Sequence, residues 1–230
     1  MRDLGESRPP LPRPCALKRP IPKLLRSIEK RTYAHWFWRK DFSGDWVARH
    51  IPVWRRVLAD WRDQPLRILE VGSWEGRSAL FFLKFLPRSR ITCIDTFAGA
   101  AEQLREPQLF AEIPHTERRF DNNLASYAGR VEKIKSRSVP ALDALIAAGR
   151  RFDLAYIDGS HSRQDVMDDS VRVWPLVVPG GVLIWDDYHW GKELSDDERP
   201  QLAIDQFLLD HAGQFRPLAQ TEQMIVERLS

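Results

Sequence analysis

Most of the sequence, from Arg67 onward, alternates short apolar runs with segments of helical pattern. The runs are RILEV, ITCID, RVEKIK, FDLAYID and GVLIWDD. Near-continuous apolar strands that alternate with helices are typical of a parallel sheet covered on both faces. We therefore predict a doubly wound, mostly parallel α/β domain. A helix near 200–212 and two final runs, FRPLAQ and QMIVERL, predict a terminal antiparallel pair of strands.

Carboxylates stand at the ends of four of these five runs, namely Glu70, Asp95, Asp158 and Asp186. In open α/β sheets, ligands bind outside the carboxyl ends of the strands, near the point where the strand order reverses. We therefore expect these four acids to share one rim of the sheet, at the ligand site.

The first strand-to-helix turn reads ILEVGSWEGRSA. Gly72 would let the backbone pass close to a bound group. The turn lacks the dinucleotide fingerprint G-x-G-x-x-G, because Trp74 takes the place of the middle glycine. Glu75 adds negative charge where a phosphate would lie. A cofactor without phosphates therefore fits this turn better than NAD does.

Asp95 lies 23 residues after Gly72, at the end of the second run. A carboxylate at this position can accept hydrogen bonds from both ribose hydroxyls of an adenosine. The alternative is a structural role, in which Asp95 caps the segment that follows Phe97.

Asp158 and Asp186 end strands that we expect to be neighbours, so their carboxylates should converge. Buried like charges raise one another's pKa unless a cation neutralises them. Oxygen ligands select a hard ion, Mg²⁺ first, with Mn²⁺ and Ca²⁺ as alternatives. Asp187 can join this site only if the strand has already turned, because adjacent strand residues face opposite sides. Otherwise Asp187 caps the following segment.

The segments LEVGSWEGRSA, CIDTF, YIDGSH and PGGVLIWDDY, in this order, resemble the class I S-adenosylmethionine-dependent methyltransferases. The resemblance is to the metal-dependent branch that includes macrocin-type sugar O-methyltransferases and cephalosporin-hydroxylase-like proteins, and it covers roughly residues 45–228. It implies a Rossmann-like sheet of seven strands with an antiparallel C-terminal hairpin.

The resemblance also implies roles for individual residues. Glu70 and Gly72 would line the methionine portion of the cofactor, and Asp95 would hold its ribose. The segment IKSRSVPAL departs from the acidic-small pair often found at the adenine site, which leaves Ser136 and Ser138 as its polar groups. The implied cofactor-binding residues are Glu70, Gly72, Ser73, Asp95, Ser138 and Asp158, and the implied Mg²⁺ ligands are Asp158, Asp186 and Asp187.

His161 lies three residues after Asp158, where the sugar O-methyltransferases place a histidine. An imidazole near its usual pKa of about 6.5 can accept a proton at neutral pH, so we predict that His161 is the catalytic base. The alternative is that it only caps its helix. His189 is the second candidate base. Asp165, Asp168 and Asp169 continue at helical spacing, which predicts a solvated helix face.

The N-terminal part divides at two composition changes. Residues 1–22 contain six prolines, and residues 1–40 hold eleven Lys and Arg against three acids. We predict a basic Pro-rich extension over 1–22, either a solvated tail or an arm for a partner, then a Trp-rich helical segment over 23–65 and the methyltransferase domain over 66–230. Val47, Ile51, Trp54, Leu58 and Trp61 repeat at helical steps, with Pro52 as a kink or a start. This face packs on the domain or forms a lid or dimer surface.

The two cysteines and the lack of an N-terminal apolar segment favour a reduced, cytoplasmic protein without a transmembrane span. We predict a Mg²⁺- and S-adenosylmethionine-dependent O-methyltransferase that acts on a hydroxyl of a sugar or another oxygen-rich small molecule. The expected partners are this acceptor and a second copy of the chain, not nucleic acid. The alternatives are an NAD-type oxidoreductase and a non-catalytic partner-binding protein that keeps the fold.

Overall fold

The computed structural model describes residues 11–17, 21–100 and 104–230. Most of the predicted Pro-rich extension, residues 1–10 and 18–20, lies outside the described residues.

The strands form one seven-stranded sheet in the order β3-β2-β1-β4-β5-β7-β6. Strands β1 to β5 pair in parallel, and β7 is antiparallel to both β5 and β6. The prediction of a doubly wound sheet with an antiparallel C-terminal hairpin is confirmed. The strands are β1 (Arg67–Val71), β2 (Arg90–Asp95), β3 (Val131–Lys135), β4 (Phe152–Ile157), β5 (Val177–Trp185), β6 (Phe215–Gln220) and β7 (Met224–Arg228).

Helices cover both faces of the sheet. Each face has its own buried cluster of apolar side chains. The helix that follows β2 begins at Pro107, because a proline is well tolerated in the first helical turn. The helices are α1 (Lys23–Ala34), α2 (Ile51–Val57), α3 (Arg77–Phe85), α4 (Pro107–Leu124), α5 (Ser138–Ala147), α6 (Arg163–Val173) and α7 (Pro200–Asp210).

The Trp-rich segment packs its predicted face onto the sheet. Val47, Ile51, Trp54, Leu58 and Trp61 are all buried, and Pro52 lies in the first turn of α2. The Trp54 ring stacks on Phe82 of α3 at a centroid distance of 4.8 Å. Its indole N–H also donates to Gln223 Oε1 at 2.7 Å. This hydrogen bond satisfies the one polar group of the buried ring.

Residues 11–17 also pack against the domain. The backbone N–H of Leu17 donates to the Leu218 carbonyl at 2.7 Å, and that of Cys15 donates to the Val57 carbonyl at 3.2 Å. The Trp61 indole donates to the Pro12 carbonyl at 2.6 Å. Backbone N–H and carbonyl groups of residues 11–17 thus pair with groups of the domain. Within the described ranges, no helix has both the length and the apolar character needed to cross a membrane.

Candidate active site

A cavity of about 820 Å³ opens at the carboxyl ends of the parallel strands. The chain runs from β1 outward through β2 to β3 and then returns to place β4 on the other side of β1, so the strand order reverses between β1 and β4. This is where open α/β sheets bind their ligands. Most of the residues predicted for the site line the cavity, namely Gly72, Ser73, Asp95, Ser138, Asp158, His161, Asp186 and Asp187.

Gly72 stands where the ends of β1 and β4 touch. Its backbone φ is +82°, and a Cβ built on it would lie 2.0 Å from the Asp158 carbonyl oxygen. The hydrogen bond from Asp158 N to the Val71 carbonyl, at 2.8 Å, fixes this approach, and Gly72 N bonds to the Ile94 carbonyl of β2 at 2.9 Å on the other side. Position 72 therefore requires a glycine because the protein's own backbone passes so close to it. The sequence suggested this requirement only for a bound group.

Asp95 holds the turn after β1 in place. Its Oδ2 accepts the backbone N–H groups of Ser73 and Trp74, each at 2.7 Å. Its Oδ1 accepts the N–H of Phe97 at 2.6 Å, so the structural role considered for this acid is present. A carboxylate offers about four acceptor positions, and a position therefore remains toward the cavity. The ribose contact stays a prediction.

Glu70 lies beneath the floor of the cavity and does not line it. The Cys93 thiol donates to its Oε2 at 3.5 Å, while Oε1 has no hydrogen-bond partner in the described part of the chain. Burial raises the pKa of Glu70 to about 7, because a charged carboxylate loses its hydration there. The predicted contact of Glu70 with the methionine portion would therefore be indirect.

The Glu70→Gln variant is expected to be more stable than wild type at high pH. A raised pKa means that the folded state holds a proton that the unfolded chain has released. The stability that this proton on Glu70 contributes is therefore fully present below about pH 4.5 and is lost as pH rises through about 7. The loss amounts to about 3 kcal/mol. The glutamine variant should match wild type near pH 5 and exceed it at pH 8.5 by up to this amount, measured by urea unfolding.

Glu132→Gln is the matched control for this measurement. Glu132 lies on the partly exposed edge strand β3, and its pKa is lowered, first by the hydrogen bond from Arg150. Removal of the Glu132 charge should therefore lower the free energy of unfolding at pH 8.5 and lower it less at low pH. This effect is opposite in sign to that of Glu70→Gln. Parallel pH profiles for the two variants would contradict the burial argument for Glu70.

Tyr156 joins two of the predicted acids. Its hydroxyl lies 2.8 Å from Asp158 Oδ2 and forms a short hydrogen bond with Asp186 Oδ2. Burial first, and then the charges of Asp186 and Asp187, raise the pKa of Asp158 well above its usual range. Two carboxylates around one phenol, in a buried pocket, make a site that favours a proton or a cation.

Asp187 turns away from the strand and toward His161. Strand β5 ends at Trp185, and Asp187 has a left-handed φ of +52°, so it need not follow the alternation of the strand. Its Oδ2 lies 2.8 Å from His161 Nε2, and the His161 ring packs on Trp190 at a centroid distance of 4.4 Å. Asp158, His161 and Asp187 each offer a ligand atom, and these atoms lie within 4.8 Å of one another.

Asp186 is held differently from the other two acids. Besides Tyr156, its Oδ1 accepts the backbone N–H of Asp187 at 2.7 Å and lies 3.4 Å from His50 Nε2. His50 is buried in the N-terminal segment, where Arg49 Nε donates to its Nε2 at 2.8 Å. Burial lowers the pKa of His50, which keeps this imidazole neutral.

Four residues of the site were not predicted from the sequence. Tyr156 could have been found, since it lies two residues before Asp158 on the same face of β4. Arg49 and His50 belong to a segment that showed only apolar periodicity. Asp169, predicted to lie on a solvated helix face, is buried and lines the cavity, so that prediction is wrong for this residue.

The second candidate base and two aromatic residues lie elsewhere. His189 does not line the cavity, and its ring packs on Tyr188. Trp185 is a core residue whose indole donates to Ser170 Oγ at 2.8 Å. Trp74 and Trp190 line the cavity, where their rings could stack on an acceptor.

Comparison with known proteins agrees with this geometry. A family model described as a methyltransferase domain, Methyltransf_24, matches residues 69–188, more than half of the chain. The chain belongs to this methyltransferase family. The match extends from β1 to the residue after Asp187 and so contains the glycine turn, Asp95 and the acid cluster. The predicted resemblance to S-adenosylmethionine-dependent methyltransferases is confirmed.

Individual relatives are distant. Mycinamicin VI 2''-O-methyltransferase of Micromonospora griseorubida is 25% identical over 184 residues, which are 75% of this chain and 37% of that protein. The structure of the MycE methyltransferase in complex with Mg, SAH and mycinamycin VI superposes with a TM-score of 0.59 at 19% identity, covering 87% of this chain and 53% of the other. The O-methyltransferase TomG from Streptomyces achromogenes, in complex with SAM, gives 0.57 at 18% identity and covers 93% of both. These two structures share the fold with this methyltransferase domain. The chain thus spans only about half or less of the mycinamicin-related proteins.

Proposed function

We propose that the chain transfers the methyl group of S-adenosylmethionine to a hydroxyl of a sugar or another oxygen-rich small molecule, with Mg²⁺ at the acceptor. The observation that carries the proposal is the convergence of Asp158, His161 and Asp187 at a cavity that also holds the glycine turn. A base and a set of hard ligands beside a cofactor turn are the parts that methyl transfer to a hydroxyl requires.

The cavity fits S-adenosylmethionine better than a dinucleotide. Its volume of about 820 Å³ is within the usual range for small-molecule sites. Trp74 and Glu75 occupy the turn where a pyrophosphate would need close backbone approach. Glu75 is buried and its carboxylate accepts Ser43 N at 2.6 Å, so it is a fixed part of this turn.

The side chains also fit a hard divalent cation. Asp158 and Asp187 supply carboxylate oxygens within 4.8 Å of one another and of a ring nitrogen of His161. Asp186 adds a third carboxylate to this pocket, where it is hydrogen-bonded to Tyr156. Burial first, and then the neighbouring charges of Asp186 and Asp187, raise the pKa of Asp158, and a bound cation would offset both effects. Mg²⁺ bound here would supply Lewis-acid activation of the acceptor hydroxyl.

His161 is the base in this proposal. Its Nε2–H donates to Asp187 Oδ2 at 2.8 Å, so the other ring nitrogen, Nδ1, would take the hydroxyl proton while Asp187 stabilises the positive charge gained. Contact with Trp190 fixes the ring plane. Asp158 and Asp187 would hold the cation to which the acceptor binds. Much of the rate of methyl transfer would therefore come from positioning the acceptor hydroxyl.

The cavity wall supports an acceptor with hydroxyl groups on a compact ring. Trp46 and Trp190 provide flat apolar surfaces, and Arg49, Glu193 and Glu198 provide polar groups beside them. Aromatic faces combined with a few placed polar groups are typical of sites for small oxygen-rich ligands. The relative named as a mycinamicin 2''-O-methyltransferase is consistent with this class of acceptor.

The test is thermal unfolding of the purified protein with S-adenosylhomocysteine or with NAD, each in Mg²⁺ or in EDTA. A ligand at 100 times its Kd stabilises the native state by about 2.7 kcal/mol, or roughly 5 to 10 °C for a domain of this size. We expect a rise with S-adenosylhomocysteine and a further rise with Mg²⁺. A rise with NAD alone would support the oxidoreductase, and no rise with either ligand would support the non-catalytic alternative.

A further inference from the structure

Helix α1 presents a row of apolar side chains to solvent. Leu24 is 72% exposed, and Leu25 and Ile28 are exposed as well. Ile28 lies four residues after Leu24 and three after Leu25, so the three side chains form one continuous face of the helix. Each of the other described helices leaves at most one large apolar side chain exposed. A grouped apolar face of this kind marks an interaction surface.

Another side of α1 holds the helix against the domain. Glu29 accepts two hydrogen bonds from the Arg56 guanidinium, at 2.7 and 2.8 Å, and lies 3.2 Å from Arg55 Nη1. The Tyr33 ring packs edge-on against Trp36 at a centroid distance of 4.6 Å. These contacts orient α1 so that its apolar face points away from the core.

The exposed charges of α1 are cations. Its twelve residues include four Lys and Arg and one acid, Glu29, which is already paired with two arginines. Lys23 and Arg31 are exposed, and Arg31 lies three residues after Ile28, so it borders the apolar face. An apolar face flanked by cations is typical of a helix that lies on an anionic lipid surface.

An exposed aromatic residue follows the helix. Trp38 is as exposed as Leu24, and the Arg39 guanidinium lies over its ring at 4.5 Å from the centroid. Tryptophan is enriched where a membrane meets water, because its ring is apolar and its N–H is polar. Trp38 and Arg39 therefore offer the same combination of apolar surface and positive charge as α1.

We propose that α1 is a docking site for an anionic membrane surface, where Leu24, Leu25 and Ile28 enter the headgroup boundary. Lys23 and Arg31 would then lie beside the lipid phosphates. A helix of twelve residues is about 18 Å long, so it would lie on the bilayer and not cross it. Among its described residues, α1 contributes none to the lining of the cavity, so this inference does not depend on the proposed function.

A second copy of the chain and a nucleic acid fit this face less well. In a two-fold pairing through the face, Lys23 and Arg31 would approach the same cations of the other copy, and like charges repel. Three exposed side chains also fall far short of the roughly 800 Å² per partner that a stable interface buries. A nucleic acid would pair with the cations but would leave the apolar side chains in water.

The experiment is flotation of the full chain with vesicles of phosphatidylcholine, either alone or with about 30% phosphatidylglycerol. We expect wild type to partition onto the anionic vesicles at least about tenfold more strongly, and to dissociate in about 0.5 M NaCl, which screens the attraction. The double variant Leu24→Gln, Ile28→Gln should lower partitioning onto anionic vesicles by about tenfold or more, because two inserting side chains are lost. Glutamine is a good helix former, so the helix should persist.

Leu209→Gln is the matched control. Leu209 is 70% exposed on α7, but the residue four positions before it is an acid, Asp205. This variant should keep wild-type partitioning to within about twofold, because an isolated leucine near an acid is not attracted to an anionic surface. The control and the double variant should both unfold at the wild-type temperature, since exposed side chains contribute little to the core.

Three results would overturn the inference: no binding of wild type to anionic vesicles, equal binding to anionic and neutral vesicles, or unchanged binding of the double variant. The first two need no variant and so do not depend on whether a variant folds. Sedimentation equilibrium tests the rival occupant. A wild-type dimer that becomes monomeric in the double variant, without any vesicle binding, would assign the face to a second copy and would also overturn the inference.

Discussion

Asp158→Asn is expected to reduce methyl transfer by about 100- to 1,000-fold while S-adenosylhomocysteine binding changes by only a few-fold. The substitution keeps the size of the side chain but removes the charge shared with His161 and Asp187 in the candidate ligand set. Its new amide N–H₂ would also face the Tyr156 hydroxyl, now 2.8 Å from Oδ2. The cofactor turn is built by other groups, so the cofactor should still bind.

The measurement combines turnover with the Mg²⁺-dependent part of the thermal shift. Asp158→Asn should lose both, and His161→Ala should lose turnover but keep most of the shift with S-adenosylhomocysteine. Asp143→Asn, an exposed acid that pairs with Arg172, is the control and should retain both. Full activity of Asp158→Asn would refute the metal-assisted mechanism, and loss of cofactor binding in His161→Ala would refute its role as base.

The parallel strands and the shared rim of acids could be predicted because they depend on local patterns. Apolar runs long enough for one strand, such as RILEV and GVLIWDD, identify buried parallel strands, and parallel strands place their carboxyl ends at one edge. The positions of Asp95, Asp158 and Asp186 follow from this rule. The turn of the chain at Asp187 could not be predicted, because it depends on a single left-handed residue.

The remaining parts of the site depend on contacts between distant segments. His50 reaches Asp186 from a segment more than a hundred residues earlier, and its neighbours in sequence show only the apolar spacing of a helix that packs on the core. Asp169 lies in a run of acids that has the pattern of a solvated face. Only the packing of α6 beside α5 places it inside, and residue spacing does not encode this choice of neighbour.

The second prediction with a large expected effect concerns the contact between β1 and β4. Gly72→Ala should destabilise the protein by more than about 4 kcal/mol, or prevent folding. The left-handed φ of +82° costs an alanine about 1 to 2 kcal/mol. The larger part comes from the Asp158 carbonyl oxygen, 2.0 Å from the new Cβ, because the two strand ends must separate. Their separation would break the hydrogen bond from Asp158 N to the Val71 carbonyl, worth about 1 kcal/mol.

Gly213→Ala separates the two causes. Gly213 has the same φ of +82°, but a Cβ there has no neighbour within 4 Å among the described residues. Its alanine variant should lose only about 1 to 2 kcal/mol in urea unfolding, the conformational part alone. The difference between the two variants then measures the contact at the switch point of the sheet. Equal losses would show that β1 and β4 can separate freely there, and the close approach that positions Asp158 beside the glycine turn would not constrain the site.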